Sequence, residues 1–186
     1  MRKRIIVGIS GGSGAIYALE ILNALKNLDI EIHLLVSTMG EYIVNHECSV
    51  DLKELKEMAD FYYENHDLTA PIASGSFKTD GMIIVPCSMK TLSAIAHGYS
   101  DSLLTRSADV CIKDKRKLVL LPRETPLSSI HLENMLKLSN LGVTIMPPMP
   151  GFYNHPQDLS DIVTSIVGRS LDQLGIEHNL LKRWGE

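Results

Sequence analysis

Short apolar runs recur along the chain, and turn-forming residues separate them. Apart from Thr144 these runs do not alternate with polar residues, which is the pattern of strands buried on both faces of a sheet. The pattern predicts strands at residues 5–7, 34–36, 82–85, 118–121 and 143–146.

Helical patterns occupy the stretches between these runs. Apolar residues repeat at helical spacing from residue 16 to residue 25, and Ser128 can cap a helix that ends before Gly142. A last helix is predicted over residues 159–174. Strands that alternate with helices favour an α/β fold with a parallel sheet, in which ligands bind beyond the carboxyl ends of the strands. Since no repeat or linker interrupts the pattern, residues 1–186 are expected to form one domain.

Composition narrows the functional classes. The formal net charge of −4 argues against a nucleic-acid-binding protein. The three cysteines form no CxxC pair, which fits a reducing compartment. The basic start MRKR precedes only three apolar residues before Gly8, too few for a signal peptide, and no run approaches the roughly 20 apolar residues of a membrane helix. We therefore expect a cytoplasmic protein without a membrane segment.

The loop after the first strand is rich in glycine. Residues 8–15, GISGGSGA, lead from a strand into a helix, and such turns let a ligand approach the backbone and the helix amides. Neither the GxGxxG fingerprint nor a GK[ST] motif is present, and no acidic residue follows the second strand at Ser37. NAD and ATP are therefore disfavoured, while a mononucleotide such as FMN remains open.

A second candidate loop follows residues 82–85. Ser88 and Thr91 stand where a helix begins, so their hydroxyls and the first-turn amides could hold a phosphate, although Ser88 could equally serve as an ordinary N-cap. Cys87 resembles a nucleophile, but without an accompanying His and Asn a buried apolar role is expected.

Cationic and acidic candidates lie at later strand ends. Arg123 follows a strand directly and could bind a phosphate, and Glu124 beside it could handle protons. Tyr153 and Arg169 could add further contacts, whereas the run 113–117 is expected to be mostly a hydrated surface. The histidines show no metal-binding spacing, so no metal is assigned.

Taken together, several segments resemble the UbiX-type flavin prenyltransferases, once described as aromatic acid decarboxylases. The resemblance spans nearly the whole chain in the right order. Its segments are residues 8–17 (GISGGSGAIY), 86–92 (PCSMKTL), 120–127 (LLPRETPL), 129–135 (SIHLENM), 150–153 (PGFY) and 183–185 (RWG). One position departs from the family, which usually has alanine where Gly12 stands.

The resemblance implies a three-layer, doubly wound flavodoxin-like or Rossmann-like domain that joins a dimethylallyl group from dimethylallyl phosphate to reduced FMN, at N5 and C6, without a metal. It implies that the product serves a UbiD-type decarboxylase and that the chain forms a homo-dodecamer with shared sites. The implied FMN-binding residues are Gly11, Gly12, Ser13, Ser37, Ser88, Met89, Lys90, Thr91 and Arg123. The implied prenyl-phosphate residues are Lys113, Arg123, Tyr153 and Arg169. The implied catalytic residues are Ser13, Glu47, Glu124 and Trp184.

Two other functional classes stay open at this point. One is a flavoprotein decarboxylase that acts on its own substrate, although such proteins have an asparagine-containing motif where residues 86–89 stand here. The other is a non-catalytic FMN-carrying subunit, which would not need Glu47, Glu124, Tyr153 and Arg169 together. The sequence leaves the partner's substrate and the choice between a monophosphate and a pyrophosphate donor undetermined.

Overall fold

Buried apolar strands form the centre of the molecule, as the apolar runs predict. The computed structural model describes residues 2–181, 183 and 185. In this part of the chain the strands form a single sheet, and every recorded pairing between neighbours is parallel. The strands are β1 (Arg4–Ile9), β2 (Glu31–Val36), β3 (Phe61–Tyr63), β4 (Gly81–Cys87), β5 (Lys117–Pro122) and β6 (Thr144–Ile145).

Helices connect the strands and cover both faces of the sheet. A short 3₁₀ helix at Pro71–Ala73 precedes β4. The α-helices are α1 (Ala15–Asn27), α2 (Thr38–Cys48), α3 (Leu52–Glu57), α4 (Met89–Ala96), α5 (Leu103–Lys113), α6 (Ser129–Asn140) and α7 (Leu159–Leu174). The predicted cap at Ser128 and the predicted extent of the last helix are confirmed, and Gly175 ends α7 in the left-handed conformation at φ 70°.

The strand order is β3-β2-β1-β4-β5-β6. The chain moves outward from β1 to β3, then returns to the other side of β1 and moves outward again through β6. The switch point therefore lies between β1 and β4, where parallel α/β sheets open a crevice at the carboxyl edge. The predicted doubly wound, three-layer α/β class is confirmed, with the strand order of a Rossmann-type sheet.

Alternating side chains of the same strands build two cores. Val7, Leu34 and Ile83 pack with α1 and α7 on one face, while Ile6 and Ile84 pack with α4 and α5 on the other. Because both faces are covered, every residue of β4 is buried and no polar alternation is possible. No helix among the described residues has the length and apolar character needed to cross a bilayer.

Two features of the sheet differ from the sequence-based expectation. The edge strand β3 was not predicted, because it has only three residues and Phe61 is 48% exposed, so it shows no buried apolar run. The last strand is also shorter than predicted, since only Thr144 and Ile145 pair with β5.

Candidate active site

Three loops lie side by side at the carboxyl edge of the sheet, after β2, β1 and β4. Backbone hydrogen bonds fix their mutual positions: Ser37 N donates to the Ile9 carbonyl oxygen over 2.9 Å, and Ser10 N donates to the Pro86 carbonyl oxygen over 3.2 Å. Arg123 N, after β5, donates to the Cys87 carbonyl oxygen over 3.3 Å. The loops that the sequence analysis selects therefore form one continuous edge at the switch point.

Ser10 ties the first of these loops to the one after β4. Its side chain is 1% exposed, and its hydroxyl donates to the Pro86 carbonyl oxygen over 3.0 Å while accepting from Ser88 N over 2.8 Å. Sequence reasoning missed this role, because a serine at the start of a glycine-rich loop looks like any other turn residue. The one indication of this role in the sequence is that Ser10 follows β1 directly.

The N-terminus of α1 is occupied by a carboxylate of the chain itself. Glu47 Oε2 accepts hydrogen bonds from Gly14 N over 2.9 Å and from Ala15 N over 2.8 Å. The amides expected from the sequence to attract a ligand anion are therefore already bonded. Gly14 N and Ala15 N are therefore not open to an anionic ligand while Glu47 holds them.

Glu47 also joins Ser13 and Arg123 in one electrostatic group. Burial alone would raise the pKa of Glu47, but the Ser13 hydroxyl, the two loop amides and the positive charge of Arg123 together hold this pKa below its usual value. The carboxylate is thus ionised at neutral pH and accepts the Ser13 hydrogen bond. The ionised carboxylate can accept a proton through Ser13, as a weaker base than an ordinary glutamate.

The first turns of α2 and α4 provide the open anion-binding positions. Ser88 caps α4: its Oγ accepts from Thr91 N over 3.3 Å and donates to Thr91 Oγ1 over 3.1 Å. Ser37 caps α2 by accepting from Gly40 N over 3.0 Å. First-turn amides have no partner within their helix, so Met89 and Lys90 N–H groups can bind a phosphate.

Arg123 and Glu124 follow β5 at the same edge. Both side chains are exposed, and the recorded hydrogen bond of Glu124 is local, from Thr125 N to Glu124 Oε1 over 3.0 Å. The charge of Arg123 lies near enough to Glu47 to help lower the pKa of that carboxylate. The roles assigned to Arg123 and Glu124 stay predictions.

Tyr153 and Arg169 line a common cavity of about 360 Å³ beyond β6. Its walls come from the end of β6, the proline-rich loop that follows, and α7. Arg169 and Tyr153 are 54% and 57% exposed, so both polar groups can reach a ligand. The structure therefore brings together this pair, which the sequence places 16 residues apart.

Lys113 lies at the opposite edge of the sheet. It ends α5, just before β5 begins, and its Nζ is 2.8 Å from Asp114 Oδ1. Because β5 has six residues, its two ends lie roughly 20 Å apart at about 3.3 Å per residue. Within one copy of the chain, Lys113 is therefore far from Arg123. Since α5 and α7 pack on opposite faces of the sheet, Lys113 is also separated from Arg169.

The remaining candidates add little to the site. Trp184 lies outside the described residues. Cys87 is 0% exposed and burial raises the pKa of its thiol, as expected for an apolar role. Within residues 2–181, 183 and 185, no three His, Cys, Asp or Glu side chains converge as a metal site would require.

Comparison with known protein families and sequences gives close matches. The flavoprotein family matches residues 1–171. The chain is 54% identical over 182 residues to the flavin prenyltransferase UbiX of Methanocaldococcus jannaschii, covering 98% of each chain. It is 50% identical to the flavin prenyltransferase LpdB of Lactiplantibacillus plantarum, again covering 98% of each chain.

Solved structures of UbiX and UbiX-like proteins also match this chain. The crystal structure of AnUbiX (PadA1) in complex with FMN and dimethylallyl pyrophosphate matches with a TM-score of 0.98 and 42% identity, covering 100% of this chain and 99% of that one. A dodecameric FMN-dependent UbiX-like decarboxylase from Escherichia coli O157:H7 matches with a TM-score of 0.95 and 49% identity, over 98% and 100% of the two chains. The peptidyl-cysteine decarboxylase EpiD, at 20% identity and a TM-score of 0.66, shares the fold alone.

Proposed function

The chain belongs to the UbiX-type flavin prenyltransferases of the flavoprotein family, and we propose that it joins a dimethylallyl group to reduced FMN at N5 and C6. The observation that carries this proposal is that the chain has two separate sites suited to anions. The serine-capped first turns of α2 and α4 suit a flavin phosphate, while Tyr153 and Arg169 line a second cavity at the edge strand β6. A reaction between a flavin nucleotide and an allylic phosphate needs two anion sites.

The donors at the switch point fit FMN. The Ser88 and Thr91 hydroxyls, the first-turn amides of Met89 and Lys90, and Ser37 would hold its phosphate. Gly11, Gly12 and Ser13 would line the space for the ring, with Arg123 beside it. Bound reduced FMN supplies the nucleophilic ring atoms of the reaction. Residues 1–186 act in this proposal as one FMN-binding domain, since α1 and α7 pack against the same face of the sheet.

Two neighbouring glycines test the flavin site. A Cβ at Gly11 would lie 2.5 Å from Met39 Cβ, which the backbone of α2 fixes, whereas the nearest atom to a Cβ at Gly12 is Pro86 Cβ at 3.4 Å. Gly11→Ala is expected to push the first turn of α2 away and weaken FMN binding at least tenfold. Gly12→Ala restores the residue usual in the family and should change the FMN dissociation constant less than twofold. Titration by flavin fluorescence measures both, and equal effects of the two substitutions would contradict the placement.

The second site would bind the phosphate of the donor. The Arg169 guanidinium and the Tyr153 hydroxyl provide charge-assisted and neutral hydrogen bonds to the phosphate oxygens. When the allylic C–O bond breaks, its electron pair leaves with the phosphate, and these fixed donors stabilise the growing negative charge. A monophosphate carries less charge than a pyrophosphate, so cationic side chains can take the place of a metal ion.

Glu47 would move the proton that the reaction releases near N5. Its ionised carboxylate accepts a hydrogen bond from Ser13, and the adjoining amides orient it. Glu124 would assist proton transfer from the β5 loop, and Trp184 would close the site. Each of these roles is part of the proposal.

Lys113 would contribute to the donor site of a neighbouring copy in a homo-dodecamer. In one chain α5 and α7 pack on opposite faces of the sheet, so another copy would have to bring Lys113 to Tyr153 and Arg169. Exposed apolar side chains on α6, among them Ile130 at 64% and Leu136 at 63%, suit contacts between copies. The dodecameric UbiX-like structure supports this assembly.

A dedicated decarboxylase is the proposed recipient of the prenylated flavin, of the UbiD type that the family resemblance implies. The alternative is that this chain itself decarboxylates a substrate or carries FMN as a non-catalytic subunit of a decarboxylase complex. The shared fold of EpiD keeps the first alternative worth testing. The Tyr153 and Arg169 cavity favours the transferase over decarboxylation of an aromatic or peptidyl-cysteine acid, since such acids carry no phosphate.

Mass spectrometry of the flavin tests the proposal directly. Purified protein is incubated anaerobically with reduced FMN and either dimethylallyl phosphate or dimethylallyl pyrophosphate, in the presence of a chelator. We expect FMN to gain the mass of one five-carbon prenyl unit with at least one of the donors. Unchanged flavin mass with both donors, or release of carbon dioxide from an aromatic or cysteinyl acid by this protein alone, would overturn the proposal.

A further inference from the structure

Asp172 lies one helical turn after Arg169 and forms hydrogen bonds with the side chains of Arg169, His178 and Arg183. Its Oδ2 is 3.0 Å from Nη1 of Arg169, and its Oδ1 is 3.0 Å from Nη2 of Arg183. Nε2 of His178 lies 3.2 Å from Oδ1. The Asp172 side chain is only 16% exposed, so one half-buried carboxylate receives hydrogen bonds from three side chains.

The hydrogen bonds of His178 fix its role in this cluster. Leu180 N donates to Nδ1 over 3.1 Å, so Nδ1 is the unprotonated nitrogen. Nε2 must then carry the proton and donate it to Asp172. The imidazole is neutral in this arrangement, with a side chain that is 0% exposed. It connects the carboxylate to the backbone of the C-terminal segment.

A glycine allows this segment to lie directly on α7. A Cβ at Gly168 would come within 2.5 Å of Leu181 Cγ and 3.0 Å of His178 Cε1. After Gly175 the chain therefore turns back along α7 and packs beside the turn that carries Arg169. Asp172 thus contacts both the helix that presents Arg169 and the segment that returns past it.

We infer that Asp172 is a positioning residue, which holds Arg169 toward the donor cavity and fastens the C-terminal segment through His178 and Arg183. The inference rests on the proposed function, because it takes Arg169 to bind the donor phosphate. Among the recorded hydrogen bonds of the described residues, Asp172 engages Arg169 only through Nη1. Arg169 also lines the donor cavity, where a guanidinium can bind two phosphate oxygens through two N–H groups.

The charge of Asp172 persists over the working pH range. Burial opposes ionisation, but the hydrogen bond and charge of Arg183, with the charge of Arg169, hold the pKa of Asp172 below its usual value. The carboxylate leaves one net positive charge on the cluster of two arginines. Of the two arginines, Arg169 lines the cavity in which an anionic donor would bind.

The test is a comparison of donor kinetics on FMN-loaded protein. Asp172→Asn keeps the shape but weakens the hold on Arg169, so the KM for dimethylallyl phosphate should rise about tenfold while kcat changes less than threefold and FMN affinity is unchanged. Asp172→Glu keeps the charge but displaces it by one methylene, so its KM should rise about threefold. Donor dissociation constants from calorimetry should follow the same order.

A matched control separates positioning from general weakening of α7. Asp158 caps the same helix by accepting from Asp161 N over 3.0 Å, away from Arg169. Asp158→Ala should lower the melting temperature and leave the donor KM unchanged. An unchanged KM in Asp172→Asn, or an equal rise in Asp158→Ala, would overturn the inference. Should the asparagine variant not fold, the glutamate variant decides alone, and an unchanged KM overturns it. Failure of the proposed function would instead appear as no prenylation by the wild-type chain.

Discussion

Arg169→Ala is expected to reduce kcat/KM for the prenyl donor by roughly tenfold to a hundredfold while FMN stays bound. A hydrogen bond to a charged group contributes about 1.5–3 kcal/mol, and each 1.4 kcal/mol is a factor of about ten. The side chain lines the donor cavity and lies beyond β6, whereas the proposed FMN phosphate site lies at α2 and α4. Donor kinetics and flavin titration on the same preparation measure the two effects separately.

Two further variants test whether the expected loss is specific to the donor cavity. Tyr153→Phe removes a neutral hydroxyl from the same cavity and should cost less than the arginine change. Arg2→Ala removes another arginine that pairs with aspartates, Asp29 and Asp60, but Arg2 precedes β1 at the opposite edge of the sheet, so activity should stay at the wild-type value. If Arg169→Ala abolished FMN binding and left the donor KM intact, the assignment of the two sites would be wrong.

The fold could be predicted from the sequence because most strands are buried on both faces. Their apolar runs and the helical spacing between them give the α/β class, and the parallel sheet then places the strand-end loops at one edge. Edge strand β3 escaped prediction because an exposed, three-residue strand acquires its pairing from β2 and not from its own pattern. Local pattern thus indicates buried strands far better than strands that depend on a neighbour.

The candidate site was predictable only in part. Ser37, Ser88 and Arg123 stand directly after strands, so topology alone selects them. The bond between Glu47 and the α1 amides joins residues 33 and 32 positions apart, and no local pattern indicates it. For Lys113 the sequence predicts a role that one copy of the chain does not explain. The family resemblance assigns it to the donor site, but it lies at the end of α5, away from the other candidates.

Glu47 combines a structural and a chemical role, and two substitutions separate them. In Glu47→Gln the amide oxygen can still accept from Gly14 N and Ala15 N, so the α1 cap should persist and FMN affinity should change less than threefold. A neutral amide does not accept a proton at neutral pH, so kcat should fall by about 10²-fold to 10³-fold, within the range of general acid–base catalysis. Single-turnover formation of the prenylated flavin measures this step.

Glu47→Ala should lose both roles. Removal of a helix cap costs about 1 kcal/mol, which lowers the melting temperature of a chain of this length by roughly 2–4 °C. The pKa of Glu47 is lowered in the folded chain, so its stabilising effect is complete above its ordinary pKa of about 4.3 and disappears as the pH falls through the lowered value. The difference in stability between wild type and Glu47→Ala should therefore narrow below about pH 4. A Glu47→Gln variant with wild-type kcat would show that the carboxylate only caps the helix, and the proton would then have to leave through another group such as Glu124.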